Sequence, residues 1–159
     1  YFFYINMFLF PFSLFQTYIG FKEIVSFKKD FHINVLNSKL LFLLKKSIYF
    51  SLFLFTILYL VDYCNIYNFN ISSNLNIIIP LILLGIIKIS YSLLSAAMGA
   101  ICSDDMLYDI NIKSIISILL VVPLMYFFSY NISLTIIFII ALWLIRCFIW
   151  YSQLQKHEN

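Results

Sequence analysis

Long apolar runs separated by short polar stretches cover almost the whole chain and predict membrane-spanning helices. Runs with at most one charge occupy residues 1–21, 47–61, 75–100, 114–130 and 132–150. A helix needs roughly 20 residues to cross the hydrocarbon core of a bilayer, and each run reaches or approaches that length. The pattern predicts an all-α, polytopic transmembrane bundle of about five membrane helices in a single domain, or of four if the first run inserts only partly.

The one long polar stretch, residues 22–46, mixes lysines with regularly placed apolar residues. This pattern is typical of a helix in the headgroup layer, with lysine side chains extending toward water. We therefore expect an interfacial, basic, amphipathic segment, and a further basic residue near the end of the last span. The residues expected to contact lipid headgroups are Lys22, Lys28, Lys29, Lys45, Lys46 and Arg146. A solvated connector whose lysines only set the orientation would show the same pattern.

The stretch from Pro80 to Lys113 is expected to organise the bundle, because it carries a charge inside an apolar run. Moving a lysine such as Lys88 to the bilayer centre costs roughly 2.5–3.5 kcal/mol on insertion scales. The helix either runs through Lys88 or ends near it, with residues 89–101 forming an interfacial or re-entrant piece. Asp62, a partner's carboxylate or a water-filled path could compensate the charge. The other candidate partners, which with Lys88 could form a proton or ion relay, are Asp104, Asp105 and Asp109.

Small residues recur at four-residue spacing after Lys88, a pattern that lets two helices approach closely. The expected helix-packing face consists of Ser92, Ser95, Ala96, Gly99 and Ala100. The helix that packs on it can belong to this chain or to another subunit.

Composition excludes an ordinary soluble domain, because 64% of the 159 residues are hydrophobic and only 11% are charged. With five spans, every lysine and arginine except Lys88 falls on one side of the membrane. Basic residues favour the cytoplasmic or matrix side. The sequence therefore predicts an inner-membrane protein, mitochondrial or bacterial, with its N-terminus outside and its C-terminus in the matrix or cytoplasm.

Few residues could carry catalysis or hold a cofactor. The cysteines are isolated, the two histidines lie in polar regions, and three glycines cannot form nucleotide-binding loops. We expect a protein that is not an enzyme and that has no metal site or cofactor other than bound phospholipid. Neither nucleic-acid binding nor a small-molecule substrate is indicated.

The pair Asp62–Tyr63 at the end of a span resembles the acid–tyrosine pair of succinate dehydrogenase membrane anchors. The resemblance implies a quinone site near this pair and a haem-ligating histidine about three turns earlier. That earlier position reads Ser51, Leu52, Phe53 in this chain, so the histidine is absent.

From Phe21 to Arg146 the order of features is similar to an uncharacterised family of multi-pass inner-membrane proteins of Bacteroidota. The shared features are a basic, Phe-rich connector, two spans with a lysine inside the second, and an acidic stretch. Gly99, Tyr108 and Pro123 mark the later part of the likeness. It implies the membrane fold and brings no activity with it.

Together these patterns predict a non-catalytic integral-membrane subunit that contributes structure and assembly surfaces to a larger complex. The complex would be energy-transducing, such as a respiratory-chain complex, or translocating, and the partners would be membrane lipids and other integral-membrane subunits. Two alternatives stay open: an ion- or proton-conducting or transporter element that uses Lys88, and a quinone- or haem-binding membrane anchor.

Overall fold

The computed structural model describes residues 2–64, 70–128 and 130–158, and these residues form five long helices without any strand. The helices are α1 (Phe2–Lys29), α2 (Ile33–Tyr63), α3 (Leu75–Ile101), α4 (Asp104–Phe127) and α5 (Ile132–Glu158), with a single 3-10 turn at Ser72–Asn74. Helices α2 to α5 are each long and apolar enough to cross a membrane. The prediction of an all-α, multi-pass membrane protein is confirmed; α1 is not among the four candidate spans.

Helix α3 is the centre of the bundle. More than half of its apolar span, 56%, is buried, against 22% for α4 and 11% for each of α2 and α5. Helices α1, α2 and α5 all pack on α3, whereas α4 packs on α5. The outer helices consequently leave long rows of apolar side chains exposed, as expected for surfaces in contact with lipid.

Helices α1, α3 and α5 run in the same direction. Phe12 of α1 contacts Gly85 of α3, and Ile24, further along α1, contacts Gly99, further along α3. The α3–α5 contacts likewise advance together, from Asn76 with Ser133 to Tyr91 with Trp143. Helices α2 and α4 therefore run the opposite way.

These directions bring the polar ends of the helices together at one end of the bundle, which we call the basic end (residues 22–46, 102–113 and 151–158). Lys39 of α2 forms an ion pair with Glu23 of α1 there. The Tyr151 hydroxyl of α5 donates a hydrogen bond of 2.9 Å to Oδ1 of Asn37. All lysines except Lys88 lie at the basic end, as the sequence pattern predicts.

We call the opposite end of the bundle the neutral end (residues 62–64, 70–76 and 130–133). There the Asp62 side chain fixes the segment that leads from α2 into α3. Its two carboxylate oxygens accept the backbone N–H groups of Asn70 and Ile71, each at 3.0 Å. Asn70 has a positive φ of 49°, a conformation that asparagine tolerates. Ile71 is fully buried against the neighbouring helices, so the loop is fixed to the core.

A proline inside α3 also contributes to the neutral end. Pro80 has no N–H, so the carbonyl of Asn76 lacks its usual helical partner. The hydroxyl of Ser133 on α5 donates a hydrogen bond of 3.1 Å to that carbonyl. In lipid, a neighbouring serine is one of the groups that can satisfy a carbonyl freed by proline.

The interfacial segment expected over residues 22–46 does not form a helix of its own. Lys22, Lys28 and Lys29 lie in the last turns of α1, and Lys45 and Lys46 lie well inside α2. Only positions 30–32 interrupt the two helices. The polar residues continue each helix beyond its apolar part, which a hydropathy pattern cannot distinguish from a separate segment.

Helix lengths depart from the prediction for the same reason. The third predicted span, residues 75–100, agrees with α3, which is continuous through Lys88 and excludes the re-entrant alternative. Residues 104–113, which lie between the third and fourth predicted spans, form the first turns of α4, and α5 continues beyond the predicted residue 150. Position 1 of the first predicted span, position 129 of the fourth and position 159 lie outside the described residues.

Candidate functional site: a cation–aromatic cluster between two helices

The contact between α3 and α5 brings two basic and three aromatic side chains together. Lys88 and Tyr91 are three residues apart on α3, and α5 contributes residues at spacings of three and four. Such spacings place side chains on one face of a helix. The resulting cation–aromatic cluster consists of Lys88, Tyr91, Trp143, Arg146 and Trp150.

Lys88 lies near one aromatic ring of the cluster and Arg146 lies near two. Nζ of Lys88 lies 5.7 Å from the centroid of the Trp143 ring. Cζ of Arg146 lies 5.4 Å from the Trp143 centroid and 5.6 Å from that of Tyr91. The Tyr91 ring in turn packs edge-on against Trp143 at 4.7 Å and tilted against Trp150 at 5.1 Å.

The cluster lies at mid-depth of the bundle. Lys88 is the central residue of α3 (Leu75–Ile101), and Arg146 is next to the centre of α5 (Ile132–Glu158). At 1.5 Å per residue, each is about 20 Å from either end of its helix. Arg146 was expected at a helix end in contact with headgroups, and the structure instead turns it inward onto Tyr91 and Trp143.

Within the described part of the chain, neither cation has a carboxylate partner. Lys88 and Arg146 form no ion pair and no hydrogen bond there, and aromatic rings lie close to each of them. Nε of Arg146 and Nε1 of Trp150 are buried donors without a hydrogen-bond acceptor among the described residues. Buried donors are almost always paired in folded proteins, with protein groups or with ordered water.

None of the acids expected to compensate Lys88 forms an ion pair with it. Asp109 binds Lys113 and the side-chain amide of Gln153 at the basic end. Asp104 and Asp105 lie in the first turn of α4, where acids interact favourably with the helix dipole.

Ring contacts offset only part of the cost of the two charges. Two cations at mid-depth cost about 5–7 kcal/mol on insertion scales. Three cation–π contacts near the roughly 6 Å limit contribute about 0.5–1 kcal/mol each. A net cost of several kcal/mol is therefore not offset by the rings.

The predicted small-residue face packs on α1 of the same chain. The Ser92 hydroxyl donates a hydrogen bond of 2.7 Å to the backbone carbonyl of Gln16, and Gly99 lies against Ile24. Ala96 is buried and Ala100 is half-buried in the same packing. Ser95 lies beside an open groove between the two helices.

This groove has a volume of about 310 Å³ and begins beside the cluster, because Tyr91 lines both. Most of its accessible wall is apolar. The polar or small residues of the wall are Gln16, Thr17, Gly20, Tyr91, Ser92, Ser95 and Ala96.

The lysines expected to contact headgroups are exposed at the basic end. The group consists of Lys22, Lys28, Lys29, Lys45 and Lys46. The ammonium of Lys46 lies 4.3 Å from the centroid of Phe42, whose ring is itself exposed. Lysines over exposed aromatic rings are suited to the boundary between lipid tails and headgroups.

The described residues contain no group of three or more metal-ligating side chains. No family model, curated protein or solved structure matches the chain. The site therefore has to be interpreted from its own geometry.

Lys88 and Arg146 are recognisable in the sequence, but only as separate residues with different expected roles. Tyr91, Trp143 and Trp150 are missing from the predicted site. A signal for them does exist, because Trp143, Arg146 and Trp150 share one face of α5 by spacing alone. What the sequence does not contain is the pairing of that face with Lys88 and Tyr91 of α3.

Proposed function

We propose that this protein is a non-catalytic subunit of a larger inner-membrane complex, energy-transducing or translocating. The observation that carries the proposal is the pair of mid-depth cations, Lys88 and Arg146, without a carboxylate in the described chain. Charges in the hydrocarbon region are retained where they pair with each other, with a partner or with water. Like charges cannot neutralise each other, so we assign the compensation to a group outside the described residues.

The same proposal includes an orientation and lipid contacts. The basic end, with its exposed lysines, faces the cytoplasm or the matrix, because basic loops are retained on that side. The lysines there bind anionic headgroups, each contributing about 1 kcal/mol near the membrane surface. The neutral end, with Asp62 and Asn70, faces the opposite compartment.

Extraction in a mild detergent tests the proposal. We expect the tagged chain to elute in size-exclusion chromatography at a mass well above its own 18.8 kDa plus detergent. Mass spectrometry of that fraction should identify integral-membrane partners at fixed stoichiometry. A harsher detergent should release the chain from them. Recovery from mild detergent of only a folded, stable monomer would contradict the proposed function.

The second candidate function is transport of an anion through the bundle. It is favoured by the groove of about 310 Å³, partly lined by polar side chains, that begins beside the cluster. Purified protein in lipid vesicles would then support anion flux, and Lys88→Met would abolish it. Equal flux in the variant and in protein-free vesicles would remove this candidate.

The quinone- or haem-binding alternative stays a prediction. The residues that carry that resemblance, Asp62 and Tyr63, lie at the neutral end, where Asp62 binds the backbone N–H groups of the following loop. A visible absorption spectrum of the reduced and oxidised complex tests for haem directly. Quinone binding would appear as sensitivity of the complex to quinone-site inhibitors.

A further inference from the structure

We propose that a transmembrane helix of a partner subunit lies along the polar face of α3 and places an aspartate or glutamate between Lys88 and Arg146. This inference rests on the proposed function as a subunit of a complex. It names the binding surface, the depth of the contact and the chemistry of the partner.

The polar face of α3 is a continuous stripe of side chains. Lys88, Tyr91, Ser92 and Ser95 follow spacings of three, four and seven residues and so share one face of the helix. Helix α1 lies on one side of this stripe and α5 lies on the other, and the groove of about 310 Å³ runs along it. Ser92 is buried in this stripe and already donates a hydrogen bond to the Gln16 carbonyl of α1, whereas the half-buried Ser95 can hydrogen-bond to a further helix.

The charge of the cluster defines the chemistry of the missing group. Lys88 and Arg146 have no acceptor among the described residues, and Nε of Arg146 and Nε1 of Trp150 are buried donors that are unpaired there. A carboxylate accepts several hydrogen bonds at once, and its bonds to charged donors are roughly twice as strong as neutral ones. A neutral amide or hydroxyl would leave the net charge of the site unchanged.

A lipid phosphate is the competing acceptor, and the crosslinking experiment below distinguishes it from a carboxylate. Leu44, next to Lys45, lines one pocket with Ser90 and Leu94, so Lys88 lies only about one helical turn deeper than the lysines assigned to headgroups. We commit to a carboxylate because a transmembrane helix presents it at the level of the cluster without deformation of the bilayer.

A second copy of this chain cannot supply that carboxylate. Its acidic residues are Glu23, Asp30, Asp62, Asp104, Asp105, Asp109 and Glu158, all of them toward helix ends or in connections. The two that reach furthest into a helix, Glu23 and Asp109, already pair with Lys39 and Lys113. We therefore assign the partner helix to a different subunit.

Site-specific photo-crosslinking tests the inference in native membranes. A photo-reactive amino acid at position Ser95, in the groove, is compared with one at position Phe53, which is exposed on α2. We expect the groove position to crosslink a single membrane protein, and mass spectrometry to place the crosslink in a transmembrane segment that contains an aspartate or glutamate. A crosslink only to lipid, to a second copy of this chain or to a segment without an acid would overturn the inference.

Charge variants then test the proposed contact between the two cations and the partner's acid. Lys88→Met and Arg146→Met should each lower the crosslinked and co-purified partner at least tenfold. Lys45→Met removes an exposed lysine at the basic end and should leave both unchanged. Lys88→Glu should abolish the contact, and replacing the partner's acid by lysine should restore it. Circular dichroism of each variant confirms that the helices still form.

The outcomes separate this inference from the proposed function. If the wild-type chain co-purifies with partners and both methionine variants keep them, the inference is wrong and the proposed function stands. If the wild-type chain has no partners at all, the proposed function fails first. A tenfold or larger loss confined to the cluster variants supports both.

Discussion

Replacement of Gly85 by alanine tests whether α1 and α3 pack as closely as the structure shows. A Cβ atom at this position would lie 2.5, 2.6 and 2.9 Å from three ring atoms of Phe12 on α1. Phe12 is only 1% exposed, and its ring packs edge-on against Phe50 of α2 at a centroid distance of 5.5 Å. The ring is therefore held from two sides and has no free space into which it can move.

The expected size of the effect follows from two opposing terms. Overpacking in a close-packed interior costs about 1–3 kcal/mol, and a clash with three ring atoms lies in the upper half of that range. Replacing glycine by alanine in a helix interior stabilises the helix by about 1 kcal/mol. The net destabilisation is then about 1–2 kcal/mol. At Gly99 the same substitution meets only the terminal methyl of Ile24 at 3.2 Å, so the two terms nearly cancel.

Thermal unfolding of the purified protein in detergent measures the difference. At about 2–4 °C per kcal/mol for a chain of this size, Gly85→Ala should lower the Tm by about 2–8 °C. Gly99→Ala, the matched control, should leave it nearly unchanged. Combining Gly85→Ala with Phe12→Leu should cost less than the sum of the single changes, because the smaller side chain makes room for the methyl group. Equal Tm values for the two alanine variants would refute the close approach of α1 and α3.

Three further predictions address other contacts. Ser92→Ala loses the hydroxyl bond to the α1 backbone and should lower stability by about 0.6 kcal/mol, whereas Ser95→Ala, which breaks no such bond, should not; equal unfolding curves would exclude a contribution from the bond. Asp62→Asn leaves one backbone N–H of the loop without a carboxylate oxygen and should cost about 1–3 kcal/mol in chemical unfolding; an unchanged midpoint would show that the loop does not depend on this carboxylate. In intact cells a membrane-impermeant maleimide should label Cys64, at the neutral end, and reach Cys102, at the basic end, only after permeabilisation; the reverse pattern would contradict the proposed orientation. Because burial and a neighbouring carboxylate raise the pKa of the Cys102 thiol, its labelling should be slow near neutral pH and faster above pH ~8.

The central helix and the one-sided distribution of lysines are readable from the sequence because both are set by the solvent. A segment such as residues 75–100 has to be apolar to cross lipid, and the lysines of residues 22–46 have to remain near water. The ends of the helices, by contrast, cannot be read from the hydropathy pattern. Backbone hydrogen bonding continues through Lys29 and starts again at Ile33, since charged residues such as lysine are good helix formers in water. Hydropathy locates the membrane boundary and contains no information about where the helix itself stops.

The site is predictable only in part because its members come from two helices. The charge of Lys88 inside an apolar run is a local signal, and the energy of transfer into lipid identifies it without a fold. Arg146 has the same charge, but its depth depends on the length of α5, which the sequence underestimates. Trp143 contacts both cations only because α3 and α5 run in the same direction and in register. That register is a property of packing, and a single sequence does not report it.

Stability and binding occupy different faces of α3. Gly85 faces α1, and changing it disturbs contacts that hold the bundle together. Lys88, three residues later, faces the cluster and forms no ion pair within the described residues. Replacing an unpaired charge in a low-dielectric site by a side chain of similar shape is neutral or stabilising, so Lys88→Met should raise the Tm of the isolated chain or leave it unchanged. If Lys88 stabilised the fold, Lys88→Met would instead lower the Tm. Groups that lower the stability of their own fold are typical of functional sites.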